Sequence, residues 1–342
     1  MRVDEFDYYL PPELIAQTPL EKRDESRLLV LDRRDGSIAH KTFRDILDYI
    51  NPGDLLVVND TKVIPARLLG RRKTGGKVEV LLLKEIEKDR WECLVKPGHK
   101  TRTGDKLFFG DEETRLVGTV VSRTPYGGRV VSWEYDGKWE DVIGKLGRMP
   151  LPPYIKAPLG DPDRYQTVYA KVPGSAAAPT AGLHFTPSLI EDIKRKGCSV
   201  QAVTLDVGLG TFRPVKEETV EEHRIHEEHV VIDKTVVEAV RDLRQRGGSL
   251  FAVGTTVVRS LESAAVGDGT IREMEGDTGL FIFPGFRYTV VDHLITNFHL
   301  PRSTLLMLVS AFAGKELIMK AYAEAVKERY RFYSFGDAML IL

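Results

Sequence analysis

Cysteine is nearly absent: the 342 residues hold two, Cys93 and Cys198, far apart and outside any CxxC spacing. This excludes a disulfide framework and a cysteine zinc site, and a reducing cytoplasm is the expected setting. Long apolar runs are also missing. The most apolar uncharged run, Ser303–Gly314, falls short of the ~20 residues that a bilayer-spanning helix needs. A longer uncharged stretch, Val172–Ile190, is broken by Pro173, Pro179 and Pro187. The opening Met1–Asp7 carries three acids and no apolar segment, so it does not read as a secretory signal. Net charge is almost nil, 49 Lys+Arg against 50 Asp+Glu, which at first sight argues against a polyanionic partner.

What remains is ordinary globular material. With 42% hydrophobic and 29% charged residues, neither a disordered nor a fibrous chain fits. At roughly 150 residues per domain the length implies about two domains. From Arg67 to Arg148 the pattern is β-rich, with runs at Val78–Leu83, Trp91–Lys96, Lys106–Phe109, Arg115–Ser122 and Arg129–Tyr135 punctuated by Gly75-Gly76, Pro97-Gly98, Gly110-Asp111 and Gly127-Gly128. Five short strands so spaced predict a small antiparallel barrel or sandwich. This segment holds 18 Lys+Arg against 13 Asp+Glu, a balance of +5, and leaves 31 against 37, or −6, for the rest. The near-neutral total therefore hides a basic module on an acidic body.

Elsewhere strands and helices alternate. Predicted strands are Asp54–Asn59, Ser199–Val207, Val230–Asp233, Leu250–Val253, Leu294–Asn297 and Ala338–Ile341; predicted helices are Pro187–Lys196, Lys234–Arg246, Thr256–Ala265, Ser303–Ala313 and Glu316–Tyr330. The expected architecture is α/β: a layered α/β main domain, discontinuous over 1–66 and 149–342, with a β-barrel domain inserted at 67–148.

Four stretches place small or polar residues where a linker needs none. Gly174–Thr186 (GSAAAPTAGLHFT) ends at a helix opened by Pro187; its small side chains let a ligand approach the backbone, with His184 at the rim. A Gly/Ala-rich connector with a solvent-facing histidine explains it equally well. Thr204–Pro214 ends a strand in Asp206-x-Gly-x-Gly, like a methyltransferase nucleotide loop, and Asp233 stands where a ribose-binding acid would. Phe212 replaces the third glycine, however, and the acidic Val215–His223 is no crossover helix. A tight turn presenting Asp206 and a plain structural turn both remain open. Glu222–His229 (EHRIHEEH) looks like a metal cluster, but its histidines at successive i+3 steps drift around a helix. His226 with Glu228, same-face neighbours on an extended chain, makes a better acid/base pair, set against a solvated charged face. The fourth comprises two strand-to-helix corners, Val253–Ser263 and Ile295–Ser303. Helix capping accounts for Thr255, Thr256 and Ser303 but not for Arg259, Asn297, His299 or Arg302, the better candidates for substrate contacts.

Gly174–Thr186, Asp206–Pro214, Val253–Ser263, Thr296–Ser303 and Ser334–Leu342 (SFGDAMLIL) together closely resemble the S-adenosylmethionine:tRNA ribosyltransferase-isomerase family of queuosine biosynthesis. So do Asn59–Leu68 (NDTKVIPARL), Met149–Ile155 (MPLPPYI) and Asp163–Ala170 (DRYQTVYA), and the likeness runs the length of the chain. The resemblance implies an α/β domain with a β-barrel. It also implies an enzyme that moves and isomerises the ribosyl group of S-adenosylmethionine onto 7-aminomethyl-7-deazaguanine in a tRNA anticodon, releasing adenine and methionine. S-adenosylmethionine is then a consumed substrate and no prosthetic group is expected, in keeping with the lack of a P-loop or GxGxxG motif. On this basis His184, Asp206, His226, Glu228 and His299 form the expected acid/base set. Ser175, Thr180, Thr255 and Thr256 are expected at the substrate, and Arg259, Asn297 and Arg302 are expected to hold the methionine carboxylate or ribose. Arg71, Arg72, Lys73, Lys96, His99, Lys100 and Arg102 are expected on tRNA phosphates. A cytoplasmic monomer with neither membrane span nor obligate protein partner completes the expectation. Two competing readings stand beside it: a class I methyltransferase, and a non-catalytic RNA-binding module that leaves the polar corners without a purpose.

Overall fold

The structure, a computed structural model, describes residues 1–124, 127–208, 215 and 217–342. The chain forms two compact units, one of Met1–Thr61, Pro152–Val172 and Ala178–Leu342, the other of Lys62–Leu151 and Pro173–Ala177. The α/β body and the antiparallel barrel expected from the sequence are both built.

Among the described residues the larger unit is organised on a nine-stranded sheet. Its order is Met274–Thr278, Glu228–Ile232, Ser199–Leu205, Leu55–Asn59, Leu250–Val253, His293–Asn297, Ala338–Ile341, Arg27–Leu31 and Ile38–Thr42. The four strands from Ser199–Leu205 to His293–Asn297 run parallel. Leu55–Asn59 and Leu250–Val253 are buried at every position, the continuous apolar pattern of strands covered on both faces. Parallel neighbours need crossovers, here the helices Pro187–Arg195, Lys234–Arg246 and Thr255–Ser263. Local chemistry sets their ends. The Asp233 side chain accepts the N–H groups of Thr235 and Val236 to start Lys234–Arg246, and Gly247 stops that helix at φ 71°, which a residue without Cβ adopts readily. One face of the sheet packs Leu28, Leu56, Val58, Phe251 and Ile295 against Phe43, Phe185, Leu189 and Ile193.

Among the described residues of the smaller unit, six strands run Arg67–Arg72, Lys77–Glu87, Arg90–Lys96, Arg129–Tyr135, Arg115–Arg123 and Lys106–Gly110, the last pairing back with the first to close a barrel, and the two-residue strand Gly147–Arg148 pairs with Arg67–Arg72. Trp91, Trp133, Phe109, Val80 and Leu68 fill it, with Trp139 of the helix Trp139–Leu146 stacked 5.6 Å from Trp91. The closing strand Arg67–Arg72 holds one apolar pair between arginines and a glycine, too little alternation to read as a strand. The edge strand Met274–Thr278 (MEGDT) escaped for the same reason. The predicted helix Glu316–Tyr330 is Lys315–Lys327, ending before Arg329 at φ 55°.

Candidate active site

Four parallel strands end at one edge of the sheet, and a cleft opens there, with Thr180, Gly254, Thr296, Asn297 and His299 among its walls. Asn59 ties the strand ends together. Its Oδ1 accepts the N–H groups of Leu205 and Thr61, both at 3.1 Å, and its Nδ2 donates to the Leu205 carbonyl at 2.9 Å and to Thr256 Oγ1 at 3.3 Å. Thr61 Oγ1 in turn donates to Asp206 Oδ1 at 2.9 Å, which orients that carboxylate just past the end of Ser199–Leu205. Thr255 and Thr256 line the cleft but cap nothing: the N-cap is Gly254 at φ 93°, the positive φ that turns strand into helix. Ser303 does cap, accepting the Leu306 N–H at 3.2 Å.

A buried hydrogen-bond chain leads inward from the cleft. Thr180 Oγ1 donates to Asn297 Oδ1 at 2.9 Å. Asn297 Nδ2 lies 3.4 Å from the Tyr333 carbonyl, which can only accept, and 3.1 Å from His184 Nε2. The amide orientation is thereby fixed, and Nε2 of His184 must be the unprotonated acceptor. Its proton sits on Nδ1, 2.7 Å from Ser26 Oγ, which donates onward to the Arg23 carbonyl at 3.2 Å. His184 is buried and stacked on Phe43 at 4.9 Å. Burial first, then the charges of Arg331 and Arg23, push its pKa down to about 3, so the ring is neutral at physiological pH. His299, on the cleft wall, is likewise pushed down to about 3 by burial, with Nε2 2.8 Å from Thr296 Oγ1 and its backbone N–H donating to the Tyr322 hydroxyl at 2.9 Å.

Other expected site residues have partners within the protein. The carboxylate that Arg259 holds is the protein's own: its guanidinium forms a buried ion pair with Glu228 and donates to the carbonyls of Leu280 and Thr278. The other Glu228 oxygen accepts the Gly208 N–H at 2.9 Å and so anchors the start of the glycine loop, while His226 is exposed. A charge buried this deeply is tolerated because it is paired and hydrogen-bonded. Arg302 sits at φ 54° and makes a half-exposed ion pair with Asp7 at 2.5 Å. Ser175 belongs to the smaller unit, where its Oγ donates to the Ala177 carbonyl at 2.7 Å. Residues 209–214, which carry the rest of the methyltransferase-like loop and Phe212, lie outside the described residues. In the histidine-rich stretch His223 pairs with Glu217 and His229 with Asp277; among the described residues no group of three or more His, Cys, Asp or Glu could hold a metal ion.

On the barrel, Arg71, Lys73, Lys96, His99, Lys100 and Arg102 are exposed and Arg72 is half-buried. The Pro97–Gly104 connection that carries three of them is pinned by buried Arg129, which donates to the carbonyls of Gly98 at 2.7 Å, Gly128 at 2.8 Å and Thr101 at 3.3 Å. Arg72 Nη1 reaches the Lys100 carbonyl at 3.3 Å, bringing the Arg71–Lys73 turn beside that connection. Sequence reasoning missed Asn59, Thr61, Tyr154 and Ser334. Tyr154 and Ser334 line the cleft and share a 2.7 Å hydrogen bond. All four fall in strings noticed for their resemblance, but a hydroxyl or amide at a strand end has no spacing that marks its role.

The model of the queuosine biosynthesis protein family matches residues 3–341. The S-adenosylmethionine:tRNA ribosyltransferase-isomerase of Symbiobacterium thermophilum is 57% identical over 343 residues, covering 100% of each chain. The proteins of that name from Thermoanaerobacter sp. and Halothermothrix orenii are each 55% identical with the same coverage. The crystal structure of S-adenosylmethionine tRNA ribosyltransferase from Thermotoga maritima is 44% identical, covers 99% of this chain and 100% of its own, and superposes with a TM-score of 0.57.

Proposed function

The chain belongs to the queuosine biosynthesis protein family, and from that premise we propose that it moves and isomerises the ribosyl moiety of S-adenosylmethionine onto 7-aminomethyl-7-deazaguanine at the tRNA wobble position. The products are epoxyqueuosine-tRNA, adenine and L-methionine. The observation that carries this reading is the end-to-end match, at 55–57% identity, to relatives bearing that enzyme's name. The cleft supports it with the lining of a small-molecule site: mostly apolar walls with a few convergent hydroxyl, amide and imidazole groups.

The chemistry needs a base beside the ribose C5′, whose protons the sulfonium acidifies, and hydrogen-bond donors where adenine departs. In this reading Asp206, oriented by Thr61, takes the C5′ proton. Thr180, Asn297, Thr255 and Thr256 hold the ribose and adenine. His184 is a positioning residue, since its lone pair fixes the Asn297 amide. His299 contributes a neutral polar wall. S-adenosylmethionine is consumed, and no prosthetic group takes part. The exposed cations of the barrel hold tRNA phosphates, an interaction that weakens steeply with salt. Among the described residues no helix is long and apolar enough to cross a membrane; the enzyme works as a monomer in the cytoplasm, without an obligate protein partner.

One incubation tests the reading. With S-adenosylmethionine and tRNA carrying the 7-aminomethyl precursor, free adenine and methionine are expected. S-adenosylhomocysteine in their place establishes a methyltransferase, and binding without turnover establishes an RNA-binding module.

A further inference from the structure

Among the described residues, the cleft lining includes no permanently charged side chain, yet S-adenosylmethionine carries a carboxylate. Arg259 and Arg302, the arginines nearest in sequence to the corners, are spent on Glu228 and Asp7. A second cavity adjoins the cleft, and Ser334 lines both. Its walls include Arg23, Arg164, Ser26 and His184.

The two arginines there are held by backbone alone. Arg23 donates to the carbonyls of Gln166 at 2.6 Å and Asp163 at 2.9 Å. Arg164 donates to the Leu20 carbonyl, and its Nε is buried with no hydrogen-bond partner. Among the described residues neither guanidinium has a carboxylate within the 4.0 Å of an ion pair. Asp161 and Asp163 stand on the same turn, both exposed, and their charges favour the Arg23 cation from beyond ion-pair distance; the Asp161 side chain accepts the Asp163 N–H at 2.9 Å. Burial, and then the adjacent Arg164 charge, press the Arg23 guanidinium below its ordinary pKa. Two half-buried like charges beside an open cavity, one with an unmet donor, constitute a cost that an arriving anion removes.

We propose that this second cavity is the carboxylate subsite for the methionine half of S-adenosylmethionine, with Arg23 and Arg164 as its cationic walls and Ser334 at its junction with the cleft. The inference rests on the reading of S-adenosylmethionine as substrate. The planar fork of an arginine suits a carboxylate, and the relay through His184 and Asn297 joins the two cavities in one hydrogen-bonded structure.

Calorimetric titration with S-adenosylmethionine and with its decarboxylated analogue, which lacks only the carboxylate, tests it. Wild-type protein is expected to prefer the carboxylate-bearing compound. Arg164→Gln is expected to weaken S-adenosylmethionine by about 10- to 100-fold, the worth of one or two charge-assisted hydrogen bonds, and to leave the analogue unchanged. Because Arg23 also braces two carbonyls, Arg23→Gln serves as the second variant, read by the same ratio. A wild type without preference, variants that keep the wild-type preference, or variants that lose both ligands equally each overturn the subsite. A wild type that binds no S-adenosylmethionine overturns the functional reading instead.

Discussion

The neutrality of His184 has a thermodynamic consequence that can be measured without substrate. Its folded pKa is pushed down from 6.5 to about 3, so the unfolded chain takes up the proton first. The stability this represents is complete above pH 6.5 and drains as pH falls from there toward 3. Integrating one such group between pH 7 and pH 5 gives a loss of about 2 kcal/mol. His299, pushed down for the same reason, adds about as much. His293 is lowered in the same direction, while Asp337, raised by burial, works the opposite way. These contributions cancel when wild type and His184→Gln are compared. Urea unfolding of both proteins at several pH values between 7 and 5 is the assay. The variant should be less stable at pH 7, having lost the bonds to Ser26 and Asn297, but its further loss by pH 5 should be about 2 kcal/mol smaller than that of wild type. Parallel losses in the two proteins, or a His184 ring resonance that titrates near 6.5, would show that the imidazole is not held neutral. The assignment of its lone pair to Asn297 would then fall.

Two further outcomes follow from the same geometry. Glu228→Gln or Arg259→Met alone removes one partner of a buried ion pair and should cost about 3–5 kcal/mol, whereas the double variant should cost less than the two together; single variants that unfold within 1 kcal/mol of wild type would refute the buried pair. Reversing Arg71, Lys73 and Lys100 to glutamate should weaken tRNA binding and lower the slope of log affinity against log salt by roughly 0.7–0.9 per phosphate contact removed. Filter binding across a salt series checks this, and an unchanged slope would take the barrel's cations out of the interface.

The elements most legible in the sequence are those whose residues answer to one dominant force. Lys234–Arg246, bracketed by a capping Asp233 and a left-handed Gly247, and the apolar Leu250–Val253 both fall where the pattern puts them. Arg67–Arg72 and Met274–Thr278 do not, because closing a barrel or extending a sheet edge is decided by a neighbour's free backbone rather than by alternation within the strand. The site divides in the same way. Thr180, Asn297 and His299 reach the cleft because they stand at strand ends or on a small-residue loop. Arg259 looks identical to a ligand-binding arginine in sequence; only the fold reveals that Glu228, 31 positions away, lies within its reach. No spacing rule anticipates such a partner, since it depends on which strand pairs with which.

The distribution of charge around the cleft also bears on the substrate. A sulfonium is a permanent cation, and an imidazolium or free arginine at its side would repel it strongly in a site of low dielectric. The fold avoids this in two ways. Arg259 is neutralised by Glu228, and the two histidines lose their protons to burial, so that they offer lone pairs and N–H groups without positive charge. Arg23 and Arg164, which form no ion pair among the described residues, line the adjoining cavity, joined to the cleft through Ser334 and the His184–Asn297 relay. Under the proposed binding mode that places positive charge at the carboxylate end of S-adenosylmethionine and leaves the sulfonium end free of it. A methyl donor and a ribosyl donor are the same molecule, so the sulfonium alone cannot decide between the two reactions. The choice falls to whichever group takes a proton from C5′, and Asp206, oriented by Thr61 at the end of a central strand, is the residue in this reading whose loss should abolish adenine release while leaving S-adenosylmethionine binding in place.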